Sequence, residues 1–91
     1  MAKPSTPILF GRRMKPYIDP FSDDDRWQLL RGDVRFVLTN FAWRTKQPWR
    51  AEIFVGGYWI GVGERKTQRA AISWLTAQRN RLVKSLTPEK G

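Results

Sequence analysis

The chain lacks two residue types on which much protein chemistry depends, because none of its 91 residues is cysteine or histidine. Without cysteine it forms no disulfide bond and no thiolate metal site. Without histidine it lacks the commonest general base and the commonest transition-metal ligand. Enzymes that depend on a Ser-His, Cys-His or His-metal arrangement are therefore excluded. No motif supports carboxylate or lysine catalysis, so we expect a non-enzymatic protein that holds no cofactor and no metal.

Long apolar runs are missing as well. The longest apolar stretches are a few residues, whereas crossing a bilayer as a helix takes about 20. Residues 1–7 contain no apolar core of the kind that a secretory signal needs. We therefore expect a cytoplasmic protein without membrane contact, associated with the nucleoid if it binds DNA. A length of 91 residues leaves room for one small domain.

Acidic side chains are scarce relative to basic ones, with 8 Asp and Glu against 17 Lys and Arg and a formal net charge of +9. The excess is concentrated in residues 34–91, which hold eleven basic and three acidic side chains. Such a field attracts polyanions and speeds encounters with them. Hydrophobic residues make up 41% of the chain, enough for a folded core. We expect nucleic acid as the partner; the alternative is that the charge only keeps the protein in solution.

The first third of the chain is predicted to form an arm and a short helix. A flexible basic arm is predicted over residues 1–21, because the four prolines of this segment disrupt regular structure; they are Pro4, Pro7, Pro16 and Pro20. The next residues, a serine followed by three aspartates, are typical of a helix N-terminus, because the serine oxygen caps free N–H groups and the acids favour the positive end of the helix dipole. The predicted boundaries are a helix from Ser22 to Arg31, one domain over residues 22–87, and a frayed tail over residues 88–91.

The remaining chain has the pattern of three strands followed by a helix. The predicted strands are residues 34–44, 49–55 and 58–63, and the predicted helix is residues 67–86. The strands are rich in β-branched and aromatic side chains, and Gly56-Gly57 forms a two-residue hairpin turn. From Thr67, the N-cap, apolar residues recur every three or four positions, as in an amphipathic helix. The expected fold is α+β, a three-stranded antiparallel sheet with the C-terminal helix packed on one face.

Alternation along these strands places apolar side chains under the helix and a mixture of basic and aromatic ones on the other face. The predicted helix-covered residues are Phe36, Leu38, Ile53, Ile60 and Val62. The other face would show Arg35, Val37, Thr39, Phe41, Trp43, Arg50, Phe54 and Trp59. Arginine bonds guanine edges and phosphates, and aromatic rings stack or fill grooves, so this face is the main predicted nucleic-acid site. The alternatives are that the first helix or the arm covers the face, or that two copies meet through it.

A second basic group, Arg65, Lys66 and Arg69, lies where the long helix begins. Arg65 and Arg69 are four residues apart and share a face if both are helical. Their charges crowd the positive end of the helix dipole, and a bound phosphate would relieve the repulsion; the alternative is a solvated basic surface. The predicted nucleic-acid-binding residues are Arg35, Trp43, Arg44, Lys46, Arg50, Trp59, Arg65, Lys66 and Arg69, and the predicted protein-interface residues are Phe54 and Trp59.

The stretch from Trp49 to Leu75, WRAEIFVGGYWIGVGERKTQRAAISWL, resembles the DNA-binding domain at the N-terminus of phage-type tyrosine integrases. The same three-stranded sheet and helix occur in plant ethylene-response factors and beside some homing endonucleases. The matching positions are Trp49, Arg50, Ala51, Ile53, Val55, Gly57, Thr67, Ala70 or Ala71, Trp74 and Leu75. The resemblance implies that the sheet enters the major groove and that Arg35, Arg50 and Trp59 contact DNA. The chain departs from the pattern at Arg65, where an aromatic residue is usual, and in its first helical turn, which is usually acidic.

The hairpin also resembles that of double-stranded-RNA-binding domains, which run helix, three strands, helix. Val55-Gly56-Gly57 and Gly61-Val62-Gly63 are similar to its glycine pattern, and the basic group at Arg65, Lys66 and Arg69 looks like its lysine-rich helix start. The resemblance implies contacts from the helices to duplex RNA. The two-residue link Gly32-Asp33 is shorter than that family's connection between first helix and first strand.

These observations predict a small basic protein that binds duplex DNA, with duplex RNA as the second choice. The competing hypothesis is an adaptor or inhibitor that binds a host protein through exposed aromatic side chains. Salt separates the two classes, because phosphate binding weakens steeply with salt whereas an aromatic protein interface responds weakly.

Overall fold

Seven strands and one helix make up the regular structure of the part of the chain that the structure describes. The structure is a computed structural model that describes residues 6–18, 20–21, 24–41 and 43–86. The strands are β1 (Ile8–Leu9), β2 (Arg12–Arg13), β3 (Lys15–Pro16), β4 (Asp25–Arg31), β5 (Val34–Asn40), β6 (Trp49–Val55) and β7 (Tyr58–Arg65), and the helix is α1 (Gln68–Leu86). The predicted α+β character is present, but the sheet is larger than the sequence predicts.

The main sheet has five strands in the order β3-β4-β5-β6-β7, each antiparallel to its neighbour, and β1 and β2 form a separate two-stranded sheet. Two-residue turns join β4 to β5 and β6 to β7, whereas residues 41–48 connect β5 to β6. Gly32 follows β4 with a φ of 58°, and Gly56 and Gly57 connect β6 to β7 with φ values of 57° and 86°. These left-handed conformations are open to glycine without a steric cost, which explains why the chain reverses at these points.

The predicted C-terminal helix is confirmed, and it begins as the sequence indicates. The Thr67 hydroxyl accepts a hydrogen bond from the Ala70 N–H at 3.1 Å, and its carbonyl accepts one from the Ala71 N–H. Ala71 and Leu75 are buried against the sheet, where α1 lies over β6 and β7. The helix therefore covers one face of the sheet from its β7 side.

The hydrophobic core lies between this sheet face, the helix and the N-terminal segment. From the sheet it takes Trp27, Leu29, Phe36, Leu38, Trp49, Ala51 and Ile53. Trp27 and Trp49 stack with ring centroids 5.9 Å apart. Leu9 and Met14, on either side of β2, are also buried in this core. The β1–β2 hairpin thus completes the layer over the part of the face that α1 leaves open.

The predicted N-terminal helix is wrong. Asp25–Arg31 is strand β4, which pairs along its whole length with β5. Trp27 and Leu29 are buried while the residues between them face the other way, a period of two that suits a strand. The link Gly32-Asp33 is a hairpin turn. Ser22 and Asp23, the proposed start of that helix, lie outside the described residues.

Three further expectations about the fold need correction. The described part of the predicted arm, residues 6–18, contributes three short strands and buried core residues instead of forming a flexible arm. The predicted strand over residues 34–44 ends at Asn40, and the one over residues 58–63 continues to Arg65. Val62 pairs with Glu52 on the face away from the helix, because a bulge leaves Ile60 without a partner on β6 and shifts the alternation.

Candidate nucleic-acid interface

The face of the five-stranded sheet opposite α1 carries most of the predicted site, and we call it the outer face. Cross-strand partners lie on the same face of an antiparallel sheet, so the register fixes its members. They are Arg26, Gln28 and Leu30 on β4, Arg35, Val37 and Thr39 on β5, Arg50, Glu52 and Phe54 on β6, and Trp59, Val62 and Glu64 on β7. The predicted side for Arg35, Arg50, Phe54 and Trp59 is confirmed.

No helix or hairpin of the described chain lies across the outer face. The element expected to form a covering helix is β4, which is part of the sheet itself, and the β1–β2 hairpin packs on the helix side. The centre of the face is nevertheless not bare. Val37 and Thr39 are buried, because the longer side chains around them, Gln28, Glu52 and Arg50 among them, occupy the adjacent register positions. The surface that a partner meets is therefore made of arginine, glutamine, glutamate and aromatic side chains.

Arg35 is held in the middle of the outer face by three neighbours. Its Nε donates a hydrogen bond of 2.9 Å to the Gln28 side-chain oxygen. Its guanidinium carbon lies 5.0 Å from the centre of the Tyr17 ring and 5.5 Å from that of the Phe54 ring. Both distances are within the range of cation–π attraction. The guanidinium is thus fixed in orientation while its remaining N–H groups stay available to a ligand.

A second group, which we call the Glu64 cluster, lies at the end of the sheet where β5 leads into β6. It consists of Phe41, Arg44, Arg50 and Glu64. The Glu64 Oε2 atom accepts hydrogen bonds from Arg44 Nη1 and from Arg50 Nη2, the latter at 3.1 Å. The two guanidinium carbons lie 4.3 and 4.9 Å from the centre of the buried Phe41 ring. One carboxylate therefore bridges two arginines above an aromatic floor.

The two arginines change the pKa of the Glu64 carboxyl group. The hydrogen bonds from Arg44 and then Arg50 hold the pKa of Glu64 below its ordinary value, against a small opposing effect of desolvation. Both positive charges favour the ionised carboxylate. With two guanidinium groups and one carboxylate, the cluster keeps one positive charge in excess.

Two tryptophans extend the interface with exposed rings. Trp59, on β7, is 55% exposed, and Trp43, in the connection between β5 and β6, is 70% exposed. The Trp43 ring meets the edge of Phe41 at a centroid distance of 5.7 Å and lies near Arg44. Lys46 is exposed in the same connection. Trp43, Arg44 and Lys46 are thus brought to one end of the sheet, beside Arg50.

The predicted basic group at the helix start is split between two elements. Arg65 is the last residue of β7 and donates a hydrogen bond to the Glu64 carbonyl oxygen, whereas Arg69 belongs to α1. The two do not share a helix face, so that geometric expectation is wrong. Lys66 and Arg69 are exposed. Because Arg65 pairs with Trp49, this group lies at the same sheet end as the Glu64 cluster.

Sequence reasoning missed four residues that build the interface. Alternation predicts the correct face for Phe41, but not its burial or its contact with Arg44, which lies in the β5–β6 connection. Glu64 was missed because the predicted strand stopped at Gly63. Tyr17 and Gln28 reach Arg35 only because β3 and β4 belong to the sheet, and the sequence was interpreted there as arm and helix.

The described residues include no group of three or more side chains suited to hold a metal ion. Within the same residues, no helix combines the length and the apolar character needed to cross a membrane. Comparison of the chain with protein families, with curated proteins and with solved structures found no match.

Proposed function

We propose that this protein binds duplex DNA through the outer face of its sheet. The observation that carries the proposal is the row of arginines fixed on aromatic rings across that face, Arg35 on Tyr17 and Phe54, and Arg44 and Arg50 on Phe41. Guanidinium groups form paired hydrogen bonds with guanine edges and with phosphates. Aromatic stacking fixes these groups before binding, which lowers the conformational entropy lost on association.

The shape of the surface suits the same ligand. The DNA major groove admits a two-stranded β-ribbon, and the paired strands β5 and β6 carry Arg35 and Arg50 on the outer face. Arg35 lies on the middle strand β5 and Arg50 on the neighbouring strand β6, toward the end of the sheet that holds the Glu64 cluster, so a duplex lying along these two strands would meet Arg35 at one point and the Glu64 cluster at another. The formal charge of +9 supplies the general attraction to a polyanion.

Fluorescence anisotropy with a labelled duplex, selected from a random-sequence pool by the wild-type protein, tests this function. Arg35→Ala and Arg50→Ala should each weaken binding by about 1–3 kcal/mol, as expected for an arginine that reads a base or holds a phosphate. The matched control is Arg79→Ala. Its guanidinium also lies over an aromatic ring, 4.7 Å from the centre of Phe10, but on the helix side of the sheet.

The outcomes separate the proposed function from its competitors. A uniform small loss for all three variants would show that only net charge matters and would contradict a specific role of the outer face. Tighter binding to duplex RNA than to duplex DNA would replace DNA by RNA as the ligand. If no nucleic acid binds and Trp59→Ala or Phe54→Ala abolishes self-association, the outer face is a protein interface.

A further inference from the structure

We propose that Arg44 and Arg50 form a site for one phosphate of the DNA backbone, and that the Glu64 carboxylate occupies this site in the free protein. The inference rests on the proposed function and adds that a side chain of the protein itself competes with DNA for this site. Glu64 would then set how tightly the protein binds DNA.

The cluster has the geometry of an anion-binding site in which the Glu64 carboxylate is the bound anion. A single oxygen of Glu64 accepts from both guanidinium groups, as one phosphate oxygen can, with Arg50 Nη2 and Nε at 3.1 and 3.3 Å. The three residues come from different elements, the β5–β6 connection, β6 and β7. The buried Phe41 ring beneath holds both guanidinium planes, so removal of the carboxylate leaves the two donors in place.

The cluster is accessible to a ligand. The side chains of Arg44, Arg50 and Glu64 are 23%, 33% and 36% exposed, so a phosphate can approach from solvent without opening the core. Their ion pairs are partly solvated, which limits the free energy needed to separate them. A phosphate that replaces the carboxylate must nevertheless sit beside a displaced negative charge, and that repulsion lowers the affinity.

A second glutamate on the same face provides an internal comparison. Glu52 lies between Val37 and Val62 in the register, one position on the outer face away from Arg50. Among the described residues it forms no ion pair with an arginine. Glu52→Gln and Glu64→Gln therefore change the charge of the outer face equally, but only the second removes the negative charge that pairs with Arg44 and Arg50.

The experiment measures the affinity of both variants for the selected DNA duplex as a function of salt. Glu64→Gln should bind about tenfold more tightly than wild type, as expected when a repulsion beside the bound phosphate is removed and one further phosphate is neutralised, and its slope of log K against log salt should steepen by about 0.9. Glu52→Gln should change the affinity about twofold or less, as a screened general charge does.

A double-mutant cycle shows whether the gain acts through the arginines. In an Arg44→Gln, Arg50→Gln background, Glu64→Gln should give no more than the Glu52→Gln effect, because the site that it opens no longer exists. Thermal melting checks that each variant is folded. If Glu64→Gln does not fold, Glu64→Asp replaces it, because the carboxylate one methylene shorter reaches the two guanidinium groups less well and should also raise the affinity.

Three results would overturn the inference. Equal effects of Glu64→Gln and Glu52→Gln, with wild-type binding to DNA intact, would reject the competitor role alone and leave the proposed function standing. Loss of affinity in Glu64→Gln would show that the carboxylate positions the arginines for binding instead of competing with the ligand. A wild-type protein that binds no duplex at any salt concentration would reject the inference together with the proposed function.

Discussion

At the scale of single residues, Gly63 on β7 packs directly against the indole ring of Trp74 on α1. A Cβ atom at Gly63 would lie 2.6 Å from the Trp74 indole, closer than real Cβ atoms come to other atoms. The indole is packed between α1 and β7 and cannot move away without disturbing the core. We expect Gly63→Ala to destabilise the fold by about 1–3 kcal/mol, the usual cost of overpacking.

Chemical denaturation measures this effect, and Gly61→Ala is its matched control. The Cβ atom at Gly61 would lie 3.7 Å from the same indole, an ordinary van der Waals contact. Replacing that glycine also reduces the entropy of the unfolded chain, so the variant should be as stable as wild type or slightly more stable. Equal destabilisation by both substitutions would mean that any side chain on this strand face is excluded, and not that Trp74 is the obstacle.

The Glu64 carboxyl predicts a pH dependence of stability. Its pKa is lowered in the folded protein by Arg44 and Arg50 from an ordinary value of 4.5. A lowered pKa means that the contribution to folding is complete above the unfolded pKa and is lost as the pH falls through the folded pKa. The melting temperature of wild type should therefore exceed that of Glu64→Gln at pH 7, and the difference should shrink below about pH 4.5. A difference that stays constant down to pH 3 would contradict an ionic contribution.

At the scale of secondary structure elements, the sequence predicts what depends on local periodicity. The helix and strand β6 have clear patterns of their own, and both are where the sequence places them. The sequence predicts a helix at β4 because the serine and three aspartates of residues 22–25 look like a helix start. In the fold, pairing with β5 makes this segment a strand. Trp27 and Leu29 are therefore buried in the core, while Leu30 is exposed. Tertiary pairing overrides a weak local signal.

The short strands β1 to β3 could not be predicted from the sequence at all. Each has two residues, too few for a periodic pattern, and Pro7 precedes β1 while Pro16 lies in β3. Pro16 is tolerated in β3 because that strand lies at the edge of the sheet, where no further ladder needs its missing N–H. The contact between Tyr17 and Arg35 in the candidate site could not be predicted for the same reason, because it depends on the pairing of β3 with β4.

The helix start gives a prediction at the element scale. Thr67→Ala removes the side-chain acceptor of the Ala70 N–H, and we expect a loss of stability of about 1 kcal/mol. Thr76→Ala is the control with the same chemical change. Its hydroxyl donates to the Ile72 carbonyl inside the helix, and alanine is the better helix former there, so the substitution should be neutral or stabilising. Urea denaturation measures the stability of both variants. An equal loss of stability in the two would argue against a cap at Thr67.

At the scale of the whole molecule, charge and shape act together. The five-stranded sheet places the core on one face and leaves arginines and aromatic rings on the other, while the helix and the N-terminal hairpin share the core side. Seven of the eleven basic side chains of residues 34–91 are thereby placed on the outer face or at the sheet end beside it, namely Arg35, Arg44, Lys46, Arg50, Arg65, Lys66 and Arg69. A duplex lying on the outer face would pass this end, and its phosphates would meet these charges.

The salt dependence of DNA binding measures how many of these charges meet phosphates. Neutralising Arg65, Lys66 and Arg69 together, each by substitution with glutamine, should weaken binding to all DNA sequences alike and should reduce the slope of log K against log salt by up to about three units. Base preference should not change, because backbone contacts carry no sequence information.

The control for that experiment removes the same charge far from the sheet end. The three exposed residues chosen are Arg12, Arg13 and Arg31. The first two lie on the β1–β2 hairpin, which packs on the helix side, and Arg31 is the last residue of β4, at the end of the sheet opposite the Glu64 cluster. Substituting these three with glutamine lowers the net charge equally and should leave the slope nearly unchanged, since screened charges outside the contact release few counterions. Equal slopes for both triple variants would mean that the protein binds DNA through its net charge alone, and the helix start would no longer count as part of the interface.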